Sequence, residues 1–182
     1  MRLKYEKRNS MKRFIQVFLI TVLLICGMSF ESYAFQNEPN GFRNLYWGES
    51  IAKVRATRTL KFSSGNKDHG WEIYTTQLSK DEEPTLSGVP ISLKTIVLSF
   101  YNERLSEVVI LFPDIDVFEK LQEAMIFLYN TPSFIKENQL TWVGEITEIN
   151  LIRREEQHYC MVRLSSVPAL RERIQETVKQ GW

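Results

Sequence analysis

The chain has 182 residues, with 23 lysines and arginines against 22 aspartates and glutamates, and 43% of it is hydrophobic. That length supports one domain with a core of its own. The near-neutral balance excludes the strongly basic surface that a nucleic-acid backbone demands, so no nucleic-acid partner is expected.

From Met11 the chain reads MKRFIQVFLITVLLICGMSFESYA. Lys12 and Arg13 form a basic start, Phe14 to Phe30 is an almost uncharged apolar run, and Ser32 and Ala34 stand at the −3 and −1 positions of a cleavage site. Residues 1–34 therefore read as a cleaved signal peptide, with 1–10 as a longer basic lead or a misassigned start. The competing reading is an uncleaved anchor, although the run is short for a membrane span and contains Gln16 and Thr21. A lipid anchor at Cys26 is disfavoured because Ile25 before it is not small. Without residues 1–34 the chain keeps 148 residues, 17 basic and 20 acidic, a net charge near −3. Cys160 is then its one cysteine, which precludes an internal disulfide and suits burial in an oxidising compartment.

Residues 35–40 are polar and turn-rich, and read as a flexible lead-in to a single domain, 41–182. The domain opens on GFRNLYWGES (41–50). Leu45 and Trp47 share a face of a short strand, Gly48 lets the chain turn, and Ser50 suits a helix N-cap. Ile51 and Val54 follow at helical spacing. Trp47 is expected to pack in this corner rather than to stack on a ligand. Strands are predicted over 57–62 and 71–78, with an acidic, breaker-rich loop at 79–88. TIVLSFY (95–101) and LSEVVILF (105–112) flank NER and predict a hairpin; the unbroken VVILF suggests a strand buried on both faces. Ile115, Phe118, Leu121, Met125 and Leu128 form an apolar stripe on a helix over 115–129, capped by Asp114 and stopped by Asn130 before Thr131-Pro132. TEINLIRR (147–154) and HYCMVRLSS (158–166) predict a second hairpin, with His158, Cys160, Val162 and Leu164 on one face. A last helix begins after Ser166, with Pro168 in its first turn and Val167, Leu170, Ile174 and Val178 as its apolar side. The order predicts an α+β fold, an antiparallel sheet with helices packed on one face.

The run Gly41-Phe42-Arg43, Trp47-Gly48-Glu49-Ser50 and Val54, placed just after a signal-like segment, resembles the opening of a group of small exported bacterial proteins of uncharacterised function. The resemblance implies an α+β fold similar to a TATA-binding-protein repeat and transfers no catalytic residue. A looser resemblance is to small outer-membrane assembly lipoproteins, whose domain also opens with a short capped helix; the missing lipobox departs from that pattern.

The chemistry-bearing residues are few. His69 follows Asp68 in a turn-forming loop, and no H-E-x-x-H or paired-cysteine motif is present, so no metal or cofactor site is assigned. Cys160 shares its face with Val162 and Leu164 and reads as an inert core thiol. Glu103 with Glu107, and Glu155 with Glu156, read as solvated carboxylates, and Arg153-Arg154-Glu155-Glu156 as a salt-bridged turn. No catalytic residue is assigned. These features favour an exported periplasmic or extracellular envelope protein, a non-enzymatic binding or accessory module for a protein or small ligand. The alternatives are a periplasmic hydrolase or redox protein using His69, His158 or Cys160, and a membrane-tethered accessory subunit that keeps its N-terminal segment.

Overall fold

Alternating apolar and polar residues organise this chain around one antiparallel sheet. The computed structural model describes residues 34–66, 69–78, 82, 85–86, 88–91 and 95–179. The segment read as a signal peptide, apart from Ala34, lies outside the described residues, as do Asp68, most of the 79–88 loop and Gly181. In chain order the elements are β1 (Gly41–Phe42), β2 (Leu45–Tyr46), α1 (Ile51–Thr57), β3 (Lys61–Asn66), β4 (Trp71–Gln77), β5 (Thr85–Leu86), β6 (Val89–Pro90), β7 (Thr95–Tyr101) and β8 (Arg104–Phe112). A 3-10 turn (Ile115–Val117) leads into α2 (Phe118–Tyr129), followed by β9 (Phe134–Lys136), β10 (Gln139–Val143), β11 (Thr147–Arg154), β12 (Tyr159–Ser166) and α3 (Val167–Lys179).

Eight strands form the main sheet in the order β3-β4-β7-β8-β12-β11-β10-β9, all neighbours antiparallel. The order is palindromic. Each half is four strands preceded by one helix, α1 or α2, and the halves meet where β8 pairs with β12. The hairpin between β7 and β8 turns on Asn102 and Glu103, with φ of 48° and 61°, the paired left-handed residues of a tight hairpin turn.

One face of the sheet carries the core. Ile96, Leu98, Phe100, Val108, Ile110, Phe112, Leu140, Trp142, Ile149, Leu151, Val162 and Leu164 point into it and are buried. Val54 of α1 and Phe118, Leu121 and Met125 of α2 close it from above. The predicted caps are present: the Ser50 hydroxyl accepts from the Lys53 amide at 3.2 Å, and the Asp114 carboxylate accepts from the Asp116 amide at 2.9 Å. Asn130 stops α2 with φ of 66°.

The opening motif folds as a corner. Gly48 turns with φ of 77°, and the Gly48 and Leu105 amides bond to the Leu105 and Glu49 carbonyls at 2.9 Å each. Gly41 is required by close approach: a Cβ there would lie 2.0 Å from the Leu45 carbonyl oxygen. The lead-in expected to be flexible is instead tied down. One oxygen of Glu38 accepts from the Ile146 and Thr147 amides at 2.6 Å each, and the Phe35 ring meets Tyr129 edge-on at 5.6 Å.

Several expectations are corrected. The helix after Ser50 runs through Thr57, so β3 begins at Lys61 and not at 57; it continues through Ser63-Ser64-Gly65, past a bulge between Phe62 and Ser64. Strands β9 and β10 were not foreseen. VVILF is buried on one face only, since Val109 and Leu111 are half-exposed. His158 does not share the Cys160 face: it is an exposed turn residue with φ of 53°. The α+β class holds, but the helices do not all lie on one face. Trp71 and Tyr101 point away from the core and give α3 its attachments on the opposite side: Arg173 lies over the Trp71 ring at 5.3 Å, and Tyr101 donates to Glu176.

Candidate functional site: the outer face of the sheet

The residues first considered for catalysis are not brought together. His69 is exposed, and no group of three or more His, Cys, Asp or Glu side chains is placed to hold a metal among the described residues. Cys160 is fully buried and donates to the Asp114 carbonyl at 3.6 Å. Burial, followed by the Asp114 charge, pushes its thiol from an ordinary value near 9 up to about 11. The fold favours the neutral thiol, so this contribution to stability is complete below about pH 9 and is lost as pH rises towards 11. Alkylation of the folded protein is accordingly expected to be slow at neutral pH and fast once denaturant is added. Rapid labelling of the folded protein would overturn the core placement.

The remaining candidates also have local roles. Glu103 occupies the β7–β8 turn, and Glu155 and Glu156 are exposed in the β11–β12 turn. Arg153 does not close that turn: it pairs with Glu119 of α2 and stacks over Phe118 at 4.3 Å. A hydroxyl-rich cleft of about 790 Å³ lies beside Arg58, lined in part by Thr57, Thr59, Thr75 and Thr95. The guanidinium of Arg58 is already committed to Glu82, Asn44 Oδ1 and the Gln77 carbonyl.

The sheet face away from the core has a different character. Cross-strand register places Thr75, Val97, Val109, Arg163, Asn150 and Thr141 in one row across β4, β7, β8, β12, β11 and β10. Leu111, Met161, Ile152 and Gln139 form the next row on one side, and Ile73, Ser99, Glu107, Ser165, Glu148 and Val143 the next on the other. Val97, Val109, Leu111 and Met161 are each half-buried, a continuous apolar strip down the middle of the sheet. Among the described elements, only α3 packs on this face, at the Trp71–Tyr101 end. Of the apolar side predicted for it, Val167 is buried and Leu170 half-buried against the sheet, whereas Ile174 and Val178 remain 59% and 67% exposed.

Polar residues frame the strip in two networks. Glu107 accepts from Ser99 at 3.1 Å and from Ser165 at 3.4 Å. Asn150 donates to Glu148 at 2.7 Å and accepts from Thr141 and Gln139 at 2.8 Å each. Arg163 lies between them, half-buried, and its Nε is enclosed without a hydrogen-bond partner. Sequence reasoning missed this face, although it had two signals. One is the unbroken VVILF of β8. The other is the inverted alternation of β4, where Glu72 and Thr76 turn inward and Trp71 and Ile73 outward.

No family model, curated protein or solved structure matches the chain.

Proposed function

We propose that this protein is an exported cell-envelope binding module that receives a protein partner on the outer face of its sheet. The observation that carries the reading is the apolar strip of Val97, Val109, Leu111 and Met161. A sheet face that meets only water ordinarily alternates to polar residues, and an apolar patch rimmed by polar residues marks an interaction surface. Export rests on the basic start, apolar run and Ser32-Tyr33-Ala34 of the N-terminal segment. The finer fold reading is similarity to a TATA-binding-protein repeat, supported by the helix-led, four-stranded antiparallel half that occurs twice in the sheet.

The test is photocrosslinking in cells that express the full chain, with benzoylphenylalanine replacing Leu111 or, as a control, Phe127. Phe127 is 85% exposed on α2, away from this face. A discrete protein adduct is expected from position 111 and not from 127, on a chain whose mass begins at Phe35. Adducts from 127 alone, or from neither position, overturn the binding reading; an intact N-terminus in the membrane pellet overturns cleavage and favours a tether.

A further inference from the structure

Resting on that reading, we infer that Arg163 anchors the docking face and receives a single carboxylate carried on an apolar segment of the partner protein. The first ground is an unmet demand. Arg163 lies on β12 between Val109 of β8 and Asn150 of β11, and its Nε is buried without a hydrogen bond. The enclosed Nε lies out of reach of a partner, but the half-buried guanidinium that it belongs to is not relieved by the acids beside it. Glu107 and Glu148 stand one row away, opposite Ser165 of the same strand. Both carboxylates are engaged by neutral donors: Ser99 and Ser165 on Glu107, and Asn150 on Glu148. No hydrogen bond or ion pair joins either of them to Arg163 among the described residues.

The second ground is the frame around the cation. Val97, Val109, Leu111 and Met161 flank it with apolar surface, and a partner that covers this surface removes water from beside the cation, which strengthens a charge-assisted bond to its acceptor. A planar guanidinium suits a carboxylate, which it engages through two parallel N–H donors. Arginine that docking desolvates against apolar neighbours is also a common energetic centre of protein interfaces. Glu107 and Glu148 oppose a phosphate-dense surface, whereas one carboxylate carried on an apolar segment meets the cation and the strip together.

The experiment uses a random heptapeptide display library panned on protein recovered from cells expressing the full chain, in wild-type, Arg163→Met and Leu111→Lys forms. The wild-type pool is expected to be enriched in peptides with Asp or Glu beside apolar residues. Arg163→Met should bind those peptides at least tenfold more weakly. Its denaturant midpoint should be unchanged or raised, because an unpaired buried donor is replaced by an apolar chain of similar length. Loss of peptide binding in both variants supports the anchor. Loss in Leu111→Lys with retention in Arg163→Met removes the anchor and leaves the docking face standing, whereas retention in both overturns the face itself. A wild-type pool without acidic enrichment, or a lowered midpoint in Arg163→Met with unchanged binding, overturns the anchor. Wild-type capture of phosphatidylglycerol vesicles that is lost in Arg163→Met would assign the cation to a lipid surface and overturn the protein partner.

Discussion

Replacing Trp142 by alanine is expected to cost about 3 to 5 kcal/mol, the range for deleting a large aromatic from a closed core. Trp142 is the largest of the fully buried side chains. Its ring meets Tyr129 of α2 at 6.3 Å, and its Nε1 donates to the Asn130 carbonyl at 2.8 Å. That carbonyl belongs to the residue that ends α2, so one side chain fixes both the packing of β10 under the helix and the point where the helix stops. Alanine leaves a cavity and an unpaired carbonyl together. Against a typical total stability of roughly 5 to 15 kcal/mol, the loss is large. Equilibrium unfolding in urea should show a lower midpoint with an unchanged slope. Trp142→Phe should cost less, since a six-membered ring still fills much of the site, although the five-membered part of the indole and its N–H bond to Asn130 are lost. A shift under about 1 kcal/mol for Trp142→Ala would mean that the ring is not enclosed between β10 and α2.

The contrast between Trp142 and Trp47 shows how far the sequence could be read. Elements with local signals were legible: Ser50 capped α1, Asp114 capped the 3-10 turn that leads into α2, the apolar stripe of α2 pointed to the core, and both long hairpins were visible from their alternation. Strands β9 and β10 were not. FIK is three residues long and too short to show a period; QLTW does alternate polar with apolar residues, but over only four positions, the shortest run that reads as a strand. They exist because Trp142 and Leu140 find a core supplied by other elements. The pairing of β8 with β12 was equally hidden, since register between distant strands is set by matching apolar faces rather than by any turn between them. Conversely, the signals on β4 and β8 were present but fitted an ordinary buried strand. An apolar residue on an outer face looks the same in sequence as one in a core. What distinguishes Val109 and Leu111 is that no described helix covers them, and Arg163 could be singled out only once Glu107 and Glu148 were seen to be held by other donors.

Trp47→Ala is expected to cost about 2 to 3 kcal/mol, below the range for a fully buried aromatic because the ring is only half-buried against the core. Its effect should exceed that of its packing area, because Trp47 belongs to a hydrogen-bonded knot. The indole Nε1 donates to Thr147 Oγ1 at 2.7 Å, and that hydroxyl donates to the Pro39 carbonyl. The Thr147 amide donates to Glu38 at 2.6 Å. Thr147 is itself fully buried, so the opening motif is locked to the start of β11 and to the lead-in through one side chain. Thr147→Val keeps the shape and removes the hydroxyl, leaving the indole N–H and the Pro39 carbonyl without their partner. A double-mutant cycle between Trp47→Ala and Thr147→Val should therefore show a coupling of about 1 kcal/mol, the size found for residues in one hydrogen-bonded network. Additive losses would show that Trp47 contributes by contact area alone. An unchanged unfolding midpoint for Trp47→Ala, accompanied by loss of the photocrosslinked partner, would make the tryptophan a binding contact and overturn its place as the packed corner of the fold.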